Sequence, residues 1–232
     1  MNERQEQILQ WIVEAYIRTA EPVGSKFLCE RYEADCSSAT IRHDMSVLEK
    51  GGYLRQPHPS AGRVPTEKAY IHYLQCMQRP RSAKSYKTQL RQAIVDAQSE
   101  EAIVKSLAKV MVDLSGETVI AAFDPRWSYY TGVSNLFAKP DFRDLEVVCA
   151  LSALIDRFDD VMAEIFEKIS AHPEVWIGSE NPFGKDMSCV IVKYTLPNRH
   201  VGLLGLIGPL RMDYQKNVAL LQEAKEVLDE AS

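Results

Sequence analysis

The chain has 232 residues, 46% of them hydrophobic and 25% charged, with a formal net charge of −5. That length exceeds one typical domain and suffices for two modest cores. No apolar run approaches the roughly 20 residues of a membrane span, and Glu3, Arg4 and Glu6 precede any apolar stripe, which excludes a signal peptide and makes the cytoplasm the expected compartment.

The charge is unevenly distributed. Residues 1–90 hold 13 Lys and Arg against 10 Asp and Glu, a balance of +3, and the remainder holds 14 against 22, a balance of −8. A basic first part is compatible with nucleic acid despite the acidic total. Five cysteines, Cys29, Cys36, Cys76, Cys149 and Cys189, are widely spaced with no Cys-x-x-Cys pair, and read as free thiols rather than disulfides, zinc ligands or a redox switch.

In chain order, Asn2 and Gln5 have the spacing of a capping box, and Ile8, Leu9, Ile12, Val13, Tyr16 and Ile17 form an apolar stripe, predicting a first helix. Pro22 and Gly24 interrupt it. Ser25 then caps a short second helix with Leu28 and Tyr32 inward, and a tight turn over Glu33 to Cys36 leads on. A third helix begins at Ser37 or Ser38 and stops at Gly51 or Gly52. Its Ile41, Met45 and Leu48 recur at the helical period and face a core. The opposite side then carries Ala39, His43 and Ser46, with Thr40 and Arg42 on the flanks. This short, polar, cationic face suits a helix that enters a major groove; taken alone, it is equally compatible with an ordinary solvated face. Tyr53 to Pro57 and Arg63 to Pro65 form two arms of a hairpin, with His58 to Gly62 as its turn. Its prolines place it at an edge. Arg63, near the expected tip, can then meet a phosphate backbone or minor groove; an ordinary surface hairpin is the alternative. Two short helices joined by a few residues, braced by a longer first helix and followed by a hairpin, make a winged helix-turn-helix over residues 1–78.

Arg79, Arg81, Lys84 and Lys87 mark residues 79–88 as a basic linker. Residues 89–232 change to mixed α and β: one helical segment from Gln89 to Leu114, a strand from Glu117 to Phe123, and a long helical stretch from Arg143 to about Ser170. Strands follow at Glu174 to Ser179, Ser188 to Leu196 and Val201 to Ile207, and an amphipathic helix runs from Asp213 to Leu228. The expected class is α+β, an antiparallel sheet flanked by helices. Gly202, Gly205 and Gly208 have the wrong spacing for a phosphate loop and suit close backbone packing. No catalytic motif is present, and His43, His58, His72, His172 and His200 lack metal-ligand spacing, so neither an enzyme nor a metal or cofactor site is expected.

The segments ERQEQIL, YIRTAEPVGS, SSATIRHDM, LEKGGYLRQPHPSAGRVPT and EKAYIHYL, followed by YTGVSNLFAKPDF, VWIGSE and GLLGLIGPLRMDY, resemble in order the HrcA family of heat-inducible transcription repressors. The resemblance implies a GAF-like second domain and a homodimer on an inverted-repeat operator in double-stranded DNA. It also implies control of the GroE and DnaK chaperone operons, derepression on heat shock, and the GroE chaperonin as a folding partner. The residues expected at DNA are Lys26, Ser37, Ser38, Thr40, Arg42, His43, Ser46 and Arg63. His43 and Pro59 stand where the family pattern has Asn and Thr, which implies an altered operator. The family's inserted dimerisation subdomain is replaced between Phe123 and Tyr130 by a short connection around Asp124, Pro125 and Arg126, leaving the dimer interface open. Two other functions fit the same residues: a ligand-gated regulator, with Tyr129, Tyr130, Trp176, His200, Arg211 and Tyr214 as conceivable pocket linings, or a protein-interaction module that has lost repression.

Overall fold

A computed structural model describes residues 1–34, 36–77, 85–124, 127–142 and 145–231. The chain divides into two compact units, Met1–Gln78 and Arg79–Ser232.

In the first unit, α1 (Glu3–Thr19) starts with the capping box that its sequence spells: the Asn2 side chain accepts from Gln5 N at 2.9 Å while Gln5 Oε1 accepts from Asn2 N. Its Ile8, Leu9, Ile12 and Val13 are buried. The second helix, α2 (Ser25–Arg31), is capped by Gly24 rather than Ser25, which is itself the first helical residue and buried. Tyr32 follows it and stacks on Trp11 of α1 at 4.9 Å. In α3 (Ser38–Lys50) the cap is Ser37, whose hydroxyl accepts from Thr40 N. Its end is a Schellman turn: Gly52 takes φ +78°, Gly52 N donates to Glu49 O and Tyr53 N to Leu48 O. Two-residue strands β1 (Leu54–Arg55) and β2 (Val64–Pro65) pair antiparallel, and α4 (Glu67–Cys76) packs Ala69 and Tyr70 into the same core.

The second unit opens with α5 (Lys87–Ile94) and α6 (Glu100–Ser115), where one helical segment was expected. Ser99 divides them by capping α6 through Ala102 N, with Glu100 and Glu101 in the first turn. Of the expected basic linker, Arg79, Arg81 and Lys84 lie outside the described residues; Lys87 begins α5 and pairs with Glu226.

A five-stranded antiparallel sheet of order β4-β3-β7-β6-β5 forms from β3 (Thr118–Asp124), β4 (Trp127–Thr131), β5 (Glu174–Ile177), β6 (Met187–Thr195) and β7 (Val201–Pro209). Only positions 125 and 126, outside the described residues, separate β3 from β4, as short as the connection expected there; strand β4 after it was not expected. After α7 (Val133–Ala138) and a 3-10 turn at Pro140–Phe142, the expected long helix is again two, α8 (Leu145–Asp156) and α9 (Phe158–Ile165). The break at Arg157, φ −110° and ψ 12°, lets Phe158 turn inward against Phe183.

Both faces of the central strands are buried, so β6 and β7 read as nearly continuous apolar runs. Ile120, Cys189, Ile191, Leu203 and Ile207 meet Phe142, Phe158, Met162 and Ile165. The alternate residues Val119, Val190, Val192, Leu204 and Leu206 point to the other face, where α6 and α10 (Tyr214–Asp229) pack. The three β7 glycines serve close packing. A Cβ on Gly202 would fall 2.3 Å from the Tyr194 hydroxyl, and one on Gly208 2.3 Å from Glu117 Oε2.

Candidate nucleic-acid interface

Helix α3 is held by its inward face. Ile41, Met45 and Leu48 are buried, and so is Asp44, a carboxylate within the apolar stripe. The Arg4 guanidinium of α1 donates to Asp44 Oδ2 at 2.7 Å and Gln5 Nε2 to Oδ1 at 3.3 Å, pinning the two helices across 40 residues of sequence. The hydrogen bond from Arg4 holds the Asp44 carboxyl below its ordinary range, against the opposing effect of burial.

The outward face is the one the period predicted. Ala39, Arg42 and His43 are exposed, and Ser38, Thr40 and Ser46 are half-buried. Two hydroxyls are engaged locally, Thr40 with Ser37 Oγ at 3.0 Å and Ser46 donating to Arg42 O at 3.0 Å. Lys26, on α2, is exposed beside Glu30 at 3.9 Å.

Arg63 departs from its expected place. It is not a free tip residue: its side chain is 15% exposed, with Nε and Nη2 both on Glu49 Oε2 of α3, at 3.0 and 2.9 Å. Its backbone exchanges two hydrogen bonds with Val23 in the α1–α2 connection, at 2.8 and 2.9 Å. Gly62 makes that approach possible, since a Cβ there would lie 2.4 Å from Val23 O. The turn is braced from within by Gln56, whose amide nitrogen donates to Pro59 O and Ala61 O, each at 2.9 Å. Arg42, Met45, Gln56, Ser60 and Arg63 line an open cleft of about 500 Å³ between α3 and the hairpin.

Both acidic residues of α3 are therefore occupied by arginines, Asp44 by Arg4 and Glu49 by Arg63, while Arg42 and His43 face solvent. The sequence carried a signal for Asp44, an acid inside an apolar stripe. Glu49, Gln56 and the Gly62 approach carried none, since each depends on a partner set by the tertiary fold.

In the second unit the conceivable pocket linings do not converge. Tyr214 is buried with its hydroxyl on Leu210 O; His200 Nδ1 lies 2.6 Å from Glu100; Tyr129 stacks on Trp127; Trp176 borders a separate surface groove. Tyr130 lines a small cavity of about 20 Å³, mainly among apolar residues such as Leu136, Leu154 and Phe158. Arg211 pairs with Asp141 at 2.6 Å, next to a buried Glu117 that pairs with Lys139. Burial pushes the Glu117 carboxyl up, against the pull of Lys139, Arg211 and Lys216. This charged cluster joins the segments YTGVSNLFAKPDF and GLLGLIGPLRMDY, so Lys139, Asp141 and Arg211 in them serve the fold. Among the described residues no group of three or more His, Cys, Asp or Glu could hold a metal, and the five cysteines are free thiols.

The sequence pattern of the HrcA protein C-terminal domain matches residues 66–218, well over half of the chain. The chain belongs to the HrcA family. A heat-inducible transcription repressor HrcA of Halalkalibacterium halodurans is 24% identical over 334 aligned positions, covering 98% of this chain and 96% of its own. Because 334 positions align against 232 residues, this is a short HrcA chain lacking a large segment of that relative. The HrcA repressor of Synechococcus elongatus is 46% identical over 123 residues, covering 52% of this chain and 35% of its own. A crystal structure of a hypothetical protein superposes over 100% of both chains with a TM-score of 0.78 at 18% identity, a likeness of fold.

Proposed function

We propose that this HrcA chain is a heat-inducible transcription repressor whose first unit is a winged helix-turn-helix and whose second is a GAF-like regulatory domain. The observation that carries the DNA-binding reading is the electrostatics of α3: both its carboxylates are tied to arginines, while Arg42 and His43 are exposed beside a braced hairpin. Such a face presents donors to base edges and positive charge to phosphates.

In this reading α3 enters a major groove. Arg42 and His43 read bases, with Thr40 and Ser46 beside them, and Lys26, Ser37 and Ser38 lie toward the backbone. Two copies engage the half-sites of an inverted repeat, because linked heads bind one duplex more tightly than either head alone. The regulated genes are chaperone operons, the GroE chaperonin assists folding of the repressor, and the compartment is the cytoplasm; no helix among the described residues is long and apolar enough to cross a membrane.

Binding of the purified protein to an inverted-repeat duplex and to a scrambled duplex at one salt concentration, with light scattering for stoichiometry, tests this reading. Selective binding of two chains per duplex is expected. Weak, unselective binding by a monomer would instead favour an interaction module.

A further inference from the structure

Arg63 meets three parts of the first unit at once. Its backbone is bridged to Val23 in the α1–α2 connection, its guanidinium forks onto Glu49 of α3, and the chain continues directly into β2 through buried Val64. Gly62 abuts the Val23 backbone so closely that the hairpin base has no room to slide toward it. We propose that Arg63 is a positioning residue rather than a DNA contact: it sets the hairpin at a fixed height and angle against α3, with Glu49 as its counterpart. This rests on the DNA-binding reading of the same face.

The physical argument is one of occupancy. A guanidinium with only 15% of its side chain exposed has two of its five N–H donors committed to one carboxylate oxygen before DNA arrives. Its other donors belong to a side chain so shielded that reaching a phosphate requires it to turn away from Glu49, which would then stand as a less compensated negative charge beside the DNA backbone. Kept in place, the pair neutralises Glu49 and joins the reading helix to the hairpin, so that both meet the duplex in one register.

The two roles predict opposite results for Glu49. If Arg63 positions, Glu49→Gln and Arg63→Ala should each lower the affinity for a duplex selected from a random library by the wild-type protein. The expected loss is about tenfold, within the range of coupled neighbours. The dependence of log K on log salt should be unchanged, and the reversed pair Arg63→Glu with Glu49→Arg should recover most of the loss. If Arg63 is instead a phosphate contact, Arg63→Ala reduces the salt slope by about one, Glu49→Gln leaves binding unchanged or strengthens it, and the reversed pair stays weak. That second pattern overturns the proposal. Glu49→Gln keeps the size of the side chain but replaces the charge-assisted pair with a weaker neutral contact, so it carries the test if Arg63→Ala unfolds. Thermal melts of the wild type, Glu49→Gln, Arg63→Ala and the double variant that combines them measure the pair's coupling without DNA, and no coupling there also overturns the proposal. Failure of the DNA reading itself is separate: it shows as absence of any duplex selected by the wild-type protein.

Discussion

Arg42 and Asp44 sit two positions apart on α3 and have opposite fates, one exposed and one buried. Arg42→Ala should cost roughly 1 to 3 kcal/mol of operator affinity and relax preference at a single position, as expected for a side chain on a base edge; a binding series over operators substituted one base pair at a time measures both. Asp44 acts on stability through pH. Its carboxyl is held low by the hydrogen bond from Arg4, so the unfolded chain binds that proton more readily than the folded one. Its contribution is therefore complete above about pH 4, the unfolded value, and is lost as pH falls through the lower folded value. Acid unfolding followed by circular dichroism should show a shallower acid limb in Asp44→Asn than in the wild type. The period of Ile41, Met45 and Leu48 located the inward face, but the partner that makes a carboxylate tolerable there lies 40 residues away. Arg63 shows the same limit from the other side: its composition and place in a hairpin suggest exposure, and Glu49 removes it.

Elements with local signals were legible. The capping box of α1, the cap of α3 and the apolar runs of β6 and β7 all stand where the sequence puts them. Ser37 tests whether such a cap is also a DNA contact. Ser37→Ala should lower the stability of the first unit by about 1 kcal/mol. Ser37→Asp should retain the cap and its stability yet weaken operator binding, because it sets a carboxylate toward the phosphates; thermal melts paired with gel-shift titrations separate the two effects. Elements without a local signal were missed. Strand β4 is short and only partly buried, so its alternation is faint, and the break between α8 and α9 is set by Phe158 turning into the core rather than by a capping residue or a proline.

For the whole molecule, heat-induced release needs a physical basis, and marginal stability supplies one: a net stability of about 5 to 15 kcal/mol lets a few degrees near the midpoint change the folded fraction strongly. Operator occupancy should then fall over the same temperature interval as the circular dichroism signal, and return on cooling while the protein stays unaggregated. A melting midpoint far above any stress temperature would instead assign release to a ligand or partner. In the second unit the residues that suggested a ligand pocket are dispersed over the sheet, the Glu117 cluster, a small cavity at Tyr130 and a separate surface groove at Trp176.

By itself, the sequence determined the order and type of most elements, the inward stripes of α1 and α3 and the resemblance to a repressor family, because capping, periodicity and apolar runs act over a few residues. Only the tertiary structure decided which charges remain available to a ligand. Arg4 with Asp44, Arg63 with Glu49, and Lys139 with Glu117 are paired across 40, 14 and 22 residues, and a contact at that separation exists only after the helices and strands have packed.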